Sequence, residues 1–271
     1  MKFKLLNDLH LEFEALEIPV CKDEAETTLI LAGDIHVGIG AYDFINEMCG
    51  RFLNVILVAG NHEYYNNNIF AVADAWNNYA KGWHNFYFLD NDTVDLTWGF
   101  ETVTVIGGTL WTDCGTQHPD AWFIKQQLEN GMNDFTCITT QDDMTGEVRT
   151  FKVHDAVYEH DKTVDFIRAA LEECETTQPD AVIVVTHHLP TFDIMAEKWK
   201  TAPHTKMNHG FATNLNGLIY KYKPTVWCCG HTHDTINKVV DETQFYCNPR
   251  GYAPFAINPE FDVNFTFEVQ G

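Results

Sequence analysis

TTLILAGDIH, residues 27–36, is an apolar run that ends in a glycine, a carboxylate and an imidazole. The run predicts a strand over Thr27–Leu31 that is buried on both faces, as strands of parallel sheets are. Similar runs predict a strand before it at Lys2–Leu6 and one after it at Val55–Val58. Segments with helical character follow the second and third runs, at about 40–52 and 69–80. This alternation of strands and helices predicts an α/β fold.

The same alternation continues towards the end of the chain. Apolar residues on one helical face predict a helix over Asp155–Cys174, and a second helix is expected at about 211–222. From about residue 235 the tail is expected to be β-structure with proline-containing turns. Apolar, β-branched and aromatic content predicts the remaining strands at Phe86–Leu89, Thr93–Leu96, Thr102–Ile106, Ala181–Val185 and Thr225–Cys229.

Two segments lack a clear hydrophobic period. Residues 107–150 are rich in Gly, Asp, Asn and Thr, and a stretch of that kind is usually a functional insertion or a lid. A long polar loop is expected from His187 to about His209. With no internal repeat or linker, the sequence predicts one domain over residues 1–271 that carries an insertion at about 107–150.

Composition limits the function. The 271 residues include 17 Lys plus Arg against 39 Asp plus Glu, a formal net charge of −22. Such a surface repels phosphate backbones and anionic membranes, so neither an extended nucleic acid nor a membrane is an expected partner. A small phosphate substrate stays compatible if bound metal ions reverse the local charge. The eight cysteines and the absence of a signal-like start predict reduced thiols and a cytoplasmic protein.

Chemistry-bearing residues collect where the predicted strands end. In α/β folds the ligand crevice lies beyond the carboxyl ends of the strands, so these side chains are expected to meet. Asp, Asn and His together form a ligand set for a divalent metal. The pairs are Asp8 with His10, Asp34 with His36, Asn61 with His62, His187 with His188, and His231 with His233.

These residues carry a resemblance to a known family. In order, Asp8-Leu9-His10, Gly33-Asp34, Gly60-Asn61-His62-Glu63, His187 and Gly230-His231-Thr232-His233 resemble the motifs of the calcineurin-like metallophosphoesterase superfamily. The motifs reach from residue 8 to residue 233. The resemblance implies a four-layer α/β/β/α sandwich with a dinuclear metal site at the strand ends.

The resemblance also implies roles for individual residues. One metal would be held by Asp8, His10, Asp34 and His233, and Asp34 would bridge to a second metal held by Asn61, His187 and His231. A hydroxide shared by the metals would be the nucleophile. His62 would be catalytic without binding metal, as a phosphate contact or as the acid that protonates the leaving oxygen. Two ions of Mn, Fe, Zn or Ni are expected, with Mn favoured.

Substrate contacts are less well determined. Protein phosphatases of this superfamily carry a longer motif, G-D-x-V-D-R-G, whose Arg contacts phosphate, and its absence here argues against that subtype. His188, His36 and Arg250 are candidate substrate contacts. For each of them a structural role is the alternative, such as packing for His36 or a surface ion pair for Arg250. Stacking on a base by Tyr64, Tyr65 or Trp111 is less expected than packing.

The predicted activity is hydrolysis of a phosphomonoester or phosphodiester of a small, nucleotide-like substrate. Two alternatives remain open at this point. A DNA nuclease of the repair type shares the motifs but is expected to carry an additional DNA-facing domain. A metallophosphoesterase fold kept as a non-catalytic scaffold is expected to have lost ligands, whereas every expected ligand is present here. The oligomeric state does not follow from the sequence.

Overall fold

The computed structural model describes residues 1–142, 144–201 and 204–269. Within them the chain forms two large sheets and two short hairpins. The strands are β1 (Lys2–Leu6), β2 (Thr27–Ala32), β3 (Asn54–Val58), β4 (Phe86–Phe88), β5 (Asp92–Trp98), β6 (Glu101–Gly108), β7 (Thr139–Gln141), β8 (Val148–Thr150), β9 (Ala181–Thr186), β10 (Val226–Cys228), β11 (Ile236–Val240), β12 (Thr243–Cys247), β13 (Gly251–Tyr252), β14 (Ala256–Ile257) and β15 (Thr266–Glu268).

Helices connect the strands and cover the sheets. The α-helices are α1 (Tyr42–Cys49), α2 (Ile69–Ala80), α3 (Ala121–Gly131), α4 (Asp134–Cys137), α5 (Val153–Thr177) and α6 (Asn216–Tyr222). Short 3-10 helices span Glu24–Glu26, His62–Tyr64, Phe192–Ile194, Glu197–Trp199 and His204–Gly210. In the part of the chain that is described, no helix has the length and apolarity needed to cross a membrane.

The two sheets have a parallel centre with antiparallel strands at their edges. The first has the order β15-β1-β2-β3-β4, in which β1 to β4 pair in parallel and β15 is antiparallel to β1. The second has the order β11-β12-β10-β9-β6-β5, in which β6, β9, β10 and β12 are parallel. The parallel centres place the carboxyl ends of consecutive strands along one edge of each sheet.

Three apolar clusters define four layers. The middle cluster lies between the sheets, where Leu5 and Ile30 of the first sheet meet Val105 and Ile183 of the second. One outer cluster packs α1 and α2 against the first sheet, around the fully buried Trp76. The other outer cluster packs α5 and α6 against the second sheet. The predicted α/β fold with an α/β/β/α order of layers is therefore confirmed.

The segment at 107–150 differs from its prediction. Apart from residue 143, which lies outside the described residues, it contains α3, α4 and the β7–β8 hairpin. Ile124 and Leu128, one turn apart on α3, are fully buried in the same cluster as the first sheet, together with Phe135. These elements were not predicted, because the short apolar stripe of α3 stands among polar residues that hide its period, and the role of the segment as an insertion or lid stays a prediction.

The helix expected at about 211–222 is shorter than predicted. It begins at Asn216, because the preceding residues pair with an extended segment instead. The N–H of Leu189 donates to the carbonyl of Phe211, and the N–H of Thr213 donates to the carbonyl of Leu189. The loop predicted from His187 to about His209 contains three short 3-10 helices, with residues 202 and 203 outside the described part.

Candidate metal centre

The strand ends bring the predicted ligands to one place. In the first sheet β1, β2 and β3 lead to Asp8, Asp34 and Asn61, and in the second β9 and β10 lead to His187 and His231. Six of the seven predicted ligands are buried, and the seventh, His233, is half-buried. Buried carboxylates and imidazoles need compensating partners, since charge is costly away from water.

The backbone of this cluster is strained. Asp8, His10, Asp34, His231 and His233 have φ values of 48°, 47°, 55°, 66° and 52°. This left-handed region costs a residue other than glycine of the order of 1–3 kcal/mol and is concentrated at functional sites. Five such residues in one cluster indicate that the surrounding fold holds these side chains in fixed directions.

Two glycines in the motifs are required by close approach. A Cβ on Gly60 would lie 2.1 Å from Oδ1 of Asp34, and a Cβ on Gly33 would lie 2.4 Å from Nδ1 of His187. Gly33 also has a φ of 87°, which L side chains rarely adopt. Gly33, before Asp34, therefore makes room for His187, and Gly60, before Asn61, makes room for Asp34.

Asp8, His10 and His233 form the first group of ligand atoms. Nε2 of His233 lies 3.2 Å from Oδ1 of Asp8 and 3.1 Å from Nε2 of His10. Nδ1 of His10 lies 3.1 Å from the carboxylate of Glu12, and the pKa of Glu12 is lowered to about 2, so Nδ1 carries the proton. Nε2 of His10 thus presents a lone pair to the centre of the group, as a metal ligand does.

His187, Asn61 and His231 surround a second position. Nδ1 of His187 donates to the carbonyl of Ala32 at 3.0 Å, which directs its Nε2 at Oδ1 of Asn61 at 3.0 Å. The ring of His231 lies 5.0 Å from that of His187. Asp34, His187 and His231 together form a group whose ligand atoms lie within 4.8 Å of one another.

Asp34 lies between the two groups. Its Oδ2 is 3.4 Å from Nε2 of His187 and 3.8 Å from Nε2 of His10. Its Oδ1 accepts the backbone N–H of His62 at 2.8 Å, which fixes the orientation of the carboxylate. One carboxylate oxygen is therefore within reach of cations at both positions.

The electrostatics fit positively charged ions. Burial raises the pKa of Asp34, but the nearby His187 and His62 hold it well below its ordinary value. Burial lowers the pKa of His187, yet the Asp34 carboxylate raises it to about 10, which reflects the negative charge that Asp34 brings to this position. Burial holds the pKa of His231 well below its ordinary value, and within the described residues its buried Nε2 has no hydrogen-bond partner. Neutral imidazole with an unpaired lone pair is the form that binds metal.

His62 stands beside the first group with both ring nitrogens engaged. Nδ1 lies 3.0 Å from Oε1 of Glu12, and Nε2 lies 3.4 Å from the hydroxyl of Tyr252. Its ring stacks on Tyr65 at 4.2 Å. His62 could also complete a ligand group with His10 and Asp34. Its Nε2 faces the hydroxyl of Tyr252, whereas Nε2 of His10 faces Nε2 of His233, and a catalytic role for His62 without metal binding stays a prediction.

Glu12 was not singled out from the sequence. Its Oε1 is shared by Nδ1 of His10 and Nδ1 of His62, so it orients a ligand and the candidate acid together. Burial raises its pKa, but the bonds to the two histidines outweigh this and lower it to about 2. The available signal was the D-x-H-x-E spacing of Asp8, His10 and Glu12.

Glu63, the last residue of the G-N-H-E motif, ties the two ligand turns together. Its buried carboxylate accepts the backbone N–H groups of Asp34 at 2.9 Å, Ile35 at 2.7 Å and Gly60 at 2.7 Å. Burial raises the pKa of this carboxyl to about 7. Glu63 therefore belongs to the motif because it holds the backbone of the two ligand turns, not because it binds metal.

Asp134, from the segment at 107–150, supports the second position. Its buried Oδ1 accepts the side-chain N–H of Asn61 at 2.8 Å and the hydroxyl of Tyr65 at 2.8 Å. Because the amide nitrogen of Asn61 is held by Asp134, its Oδ1 is directed at His187 and the metal position. Nothing in the spacing along the chain pointed to this contact.

The three predicted substrate contacts are placed differently. Nδ1 of the buried His188 donates to the carbonyl of Thr109 at 3.2 Å, and its ring lies 4.4 Å from that of His231. His188 thus packs behind a ligand, and burial lowers its pKa to about 3. Nδ1 of His36 donates to the carbonyl of Val37, within its own turn.

Arg250 forms an ion pair with Glu14, but its guanidinium is buried. It is 5% exposed, and its guanidinium donates to the carbonyl and carboxylate of Glu14 and to the carbonyl of Leu9. These contacts brace the loop that carries Glu12, and a substrate contact by Arg250 stays a prediction. Tyr64 and Trp111 are buried against the core, as expected for packing.

A two-sheet sandwich with carboxylates and imidazoles gathered at its strand ends defines a metal-dependent hydrolase of phosphoric esters. The profile of the calcineurin-like phosphoesterase family matches residues 1–235, and the chain belongs to this family.

Other proteins resemble the chain over most of its length. An uncharacterized protein of Acanthamoeba polyphaga mimivirus is 23% identical over 220 residues, 78% of this chain and 72% of that protein. Phosphopantetheinyl hydrolase of Mycobacterium tuberculosis superposes with a TM-score of 0.67 at 19% identity, covering 93% of this chain and 89% of that one. A Staphylococcus aureus protein assigned as a 5'-nucleotidase superposes with a TM-score of 0.51 at 14% identity, covering 92% of this chain but 48% of that one. At these identities the solved structures show a shared fold.

Proposed function

We propose that this protein is a dinuclear metallophosphoesterase that hydrolyses a phosphomonoester or phosphodiester of a small, nucleotide-like substrate. The observation that carries the proposal is the position of Asp34, whose Oδ2 lies within 4 Å of an imidazole nitrogen in each ligand group. A carboxylate placed in this way can bridge two cations, and paired ions can clamp the attacking and leaving oxygens of an in-line displacement.

The proposed ligands are Asp8, His10, Asp34 and His233 for one ion, and Asp34, Asn61, His187 and His231 for the other. When bound, the two ions would supply a nucleophile derived from water at neutral pH and offset the charge of the phosphate. The bond from phosphorus to the leaving oxygen breaks as the bond from phosphorus to the water oxygen forms.

His62 is the proposed acid in this reaction. Burial lowers its pKa, but the carboxylates of Asp34 and Glu12 raise it overall, which favours the protonated ring. With Nδ1 bonded to Glu12, Nε2 holds the proton that the leaving oxygen takes up. Proton transfer of this kind contributes roughly 10²–10⁴-fold to rate.

The substrate class rests on charge and size. A net charge of −22 opposes binding of DNA or another long polyanion, so a small substrate is proposed over the repair-nuclease alternative. The solved relatives include a phosphopantetheinyl hydrolase and a protein assigned as a 5'-nucleotidase, both named for small phosphorylated molecules. We propose the same size class here.

Manganese is the proposed metal, with Fe, Zn and Ni as alternatives, because the ligands are oxygen and imidazole nitrogen without thiolate. A reducing, cytoplasmic compartment is proposed from the cysteines. All eight are free, and Cys49, Cys114, Cys228, Cys229 and Cys247 are buried.

Metal titration of chelated protein tests the proposal. Added manganese is expected to bind as two ions per chain and to restore hydrolysis of bis-p-nitrophenyl phosphate. Asp34→Asn and Asp34→Ala should abolish turnover and weaken the binding of both ions. Asp43→Asn, at an exposed position of α1, should change neither turnover nor metal binding. Two tightly held ions with normal activity in Asp34→Ala would reject the bridging role.

A further inference from the structure

An apolar cavity of about 280 Å³ adjoins the second metal position. We call it the thioether pocket, and it is lined by Met195, Trp199, Met207, Asn208, Phe211 and Thr232. Five of these residues come from the loop after β9, and the sixth comes from the turn that carries two ligands. The pocket therefore lies between a loop outside the sheets and the metal centre.

Contact with the ligands is direct. The ring of Phe211 lies 4.7 Å from that of His231. Thr232 stands between His231 and His233 in the chain, so one wall of the pocket is the ligand turn itself. A group attached to a phosphate held at the metal centre can therefore reach the pocket.

The chemistry of the walls selects an uncharged, flat group. None of the six residues is charged, and the walls include two thioethers and two aromatic rings. Thioether sulfur and aromatic rings both make favourable contacts with a further aromatic ring. A cavity of roughly 150 Å³ holds benzene, so this larger one has room for a fused bicyclic ring.

A polar edge is provided by Asn208. Its Nδ2 donates to the carbonyl of Trp199 at 2.8 Å, which fixes the amide. Within the described residues its Oδ1 accepts no hydrogen bond, so it can receive one from an N–H at the edge of a ring. A plain hydrocarbon chain would leave this acceptor unused.

The aromatic wall is fixed in advance. Nε1 of Trp199 donates to the carboxylate of Asp234, the residue after His233, and Lys198 pairs with the same carboxylate. These contacts tie the loop to the ligand turn. Preorganised walls lower the entropy cost of binding.

We propose that the thioether pocket binds a planar bicyclic ring carried by the phosphoester substrate, and that this ring is a purine base. This inference rests on the proposed function and names the substrate part that the metal centre does not bind. Another aryl ring shares the stacking chemistry of a purine but lacks its N–H edge.

Substrate comparison with wall variants tests the inference. Trp199→Ala should lower kcat/KM for adenosine monophosphate and for 2-naphthyl phosphate by about 10-fold, the size of one lost stacking contact. Hydrolysis of glycerol 3-phosphate, which has no ring, should fall less than hydrolysis of either ring substrate in the same variant. Trp199→Phe is the matched control, because it keeps a ring and should keep most of the activity.

Two further variants distinguish binding of an aromatic ring from recognition of the N–H edge of a purine. Met207→Glu places a carboxylate in the pocket and should reduce both ring substrates while the metal content stays unchanged. Asn208→Leu should affect adenosine monophosphate more than 2-naphthyl phosphate. Equal losses of activity on the two ring substrates in Asn208→Leu would overturn the purine assignment. If Trp199→Ala reduced hydrolysis of n-octyl phosphate as strongly as that of the ring substrates, the proposal that the pocket binds a ring would be overturned.

Binding measured without turnover distinguishes this inference from the proposed function. Calorimetry with adenosine, which has no phosphate to hydrolyse, should show binding to the wild type and about 10-fold weaker binding to Trp199→Ala. Adenosine binding in a protein that hydrolyses no ester would support the pocket and reject the hydrolase. Equal adenosine affinity in wild type, Trp199→Ala and Met207→Glu would reject the pocket even in an active enzyme.

Discussion

The carboxylate of Asp134 holds the side-chain amide of Asn61 at 2.8 Å, although 73 residues separate them in the chain. Losing this acceptor frees the amide to rotate, so Asp134→Ala should weaken the second metal by about 10–100-fold, the usual cost of removing a partner of a ligand. Asp134→Asn keeps an acceptor oxygen and should lose less. Equilibrium dialysis with manganese measures both.

Asp120→Asn is the control for this prediction. Asp120 lies in the same segment, but it is exposed and pairs with Lys206 at the surface. Its substitution should leave metal affinity unchanged. If Asp134→Ala bound both ions as tightly as the wild type does, the positioning role of Asp134 would be wrong.

Gly60→Ala should damage the metal centre. The added Cβ would lie 2.1 Å from Oδ1 and 2.6 Å from the backbone nitrogen of Asp34, so the bridging carboxylate must move. We expect a loss of about 1–3 kcal/mol of unfolding free energy, together with loss of metal. Denaturant unfolding and metal analysis measure the two effects.

Gly217→Ala is a matched control for this change. Gly217 lies in α6, and a Cβ there would meet nothing within 4 Å. Alanine in a helix is favoured over glycine by about 0.5–1 kcal/mol, so this variant should be slightly more stable and fully active. A Gly60→Ala protein that matched it in both respects would show that the turn tolerates the methyl group.

Much of the centre could be predicted because its residues stand directly after strands. Short apolar runs followed by Asp34 or Asn61 mark the strand ends, and parallel pairing brings such ends together without further information. Gly33 and Gly60 are visible for the same reason, since the close approach of ligand turns requires them. The family resemblance then supplied the division into two ion positions, which no spacing gives.

The remainder depends on tertiary contacts that leave no periodic signal. Asp134 acts through a hydrogen bond to the ligand Asn61, and nothing near Asp134 in the sequence distinguishes it from other acidic residues. Glu12 has only the short D-x-H-x-E spacing as a signal, which does not show that its carboxylate contacts both His10 and His62. The burial of Arg250 was not predicted, because the residues beside it in the sequence do not show that the fold packs its guanidinium against the loop at Glu14. Local sequence patterns predict where the strands end, but they do not predict which side chains from distant parts of the chain contact those ends.

Leu128→Ala should destabilise the whole fold. Leu128 is fully buried on α3, inside the cluster that covers the first sheet. Removing a buried leucine side chain costs about 2–5 kcal/mol. Thermal melts should show a clear drop, and the same packing predicts that trimming residues 107–150 unfolds the protein rather than altering its substrate preference.

Trp122→Ala on the same helix is the comparison. Trp122 is 76% exposed, so its loss should change stability by no more than about 0.5 kcal/mol. Equal melts for the two variants would contradict the view of α3 as part of the core. An intact melt with an altered substrate profile in a trimmed protein would restore the role of the segment as a lid.

His62→Asn should separate acid catalysis from metal binding. Both ring nitrogens of His62 lie near other partners, the Glu12 carboxylate at 3.0 Å and the Tyr252 hydroxyl at 3.4 Å, so we expect its loss to leave both ions in place. Turnover of an alkyl ester should fall roughly 10²–10⁴-fold. An ester of p-nitrophenol should lose much less, because that leaving group needs little protonation.

Glu12→Gln tests whether the Glu12 carboxylate orients His62. It removes the carboxylate that orients His62 but leaves the imidazole, so the alkyl ester should slow by less than in His62→Asn, with the same dependence on the leaving group. Because Glu12 also bonds to His10, binding of the first metal ion should weaken as well. Glu14→Gln, at a half-exposed carboxylate two residues further along the chain that pairs with Arg250, should have neither effect. Metal lost from His62→Asn would instead make His62 a ligand, as its place in a group with His10 and Asp34 allows.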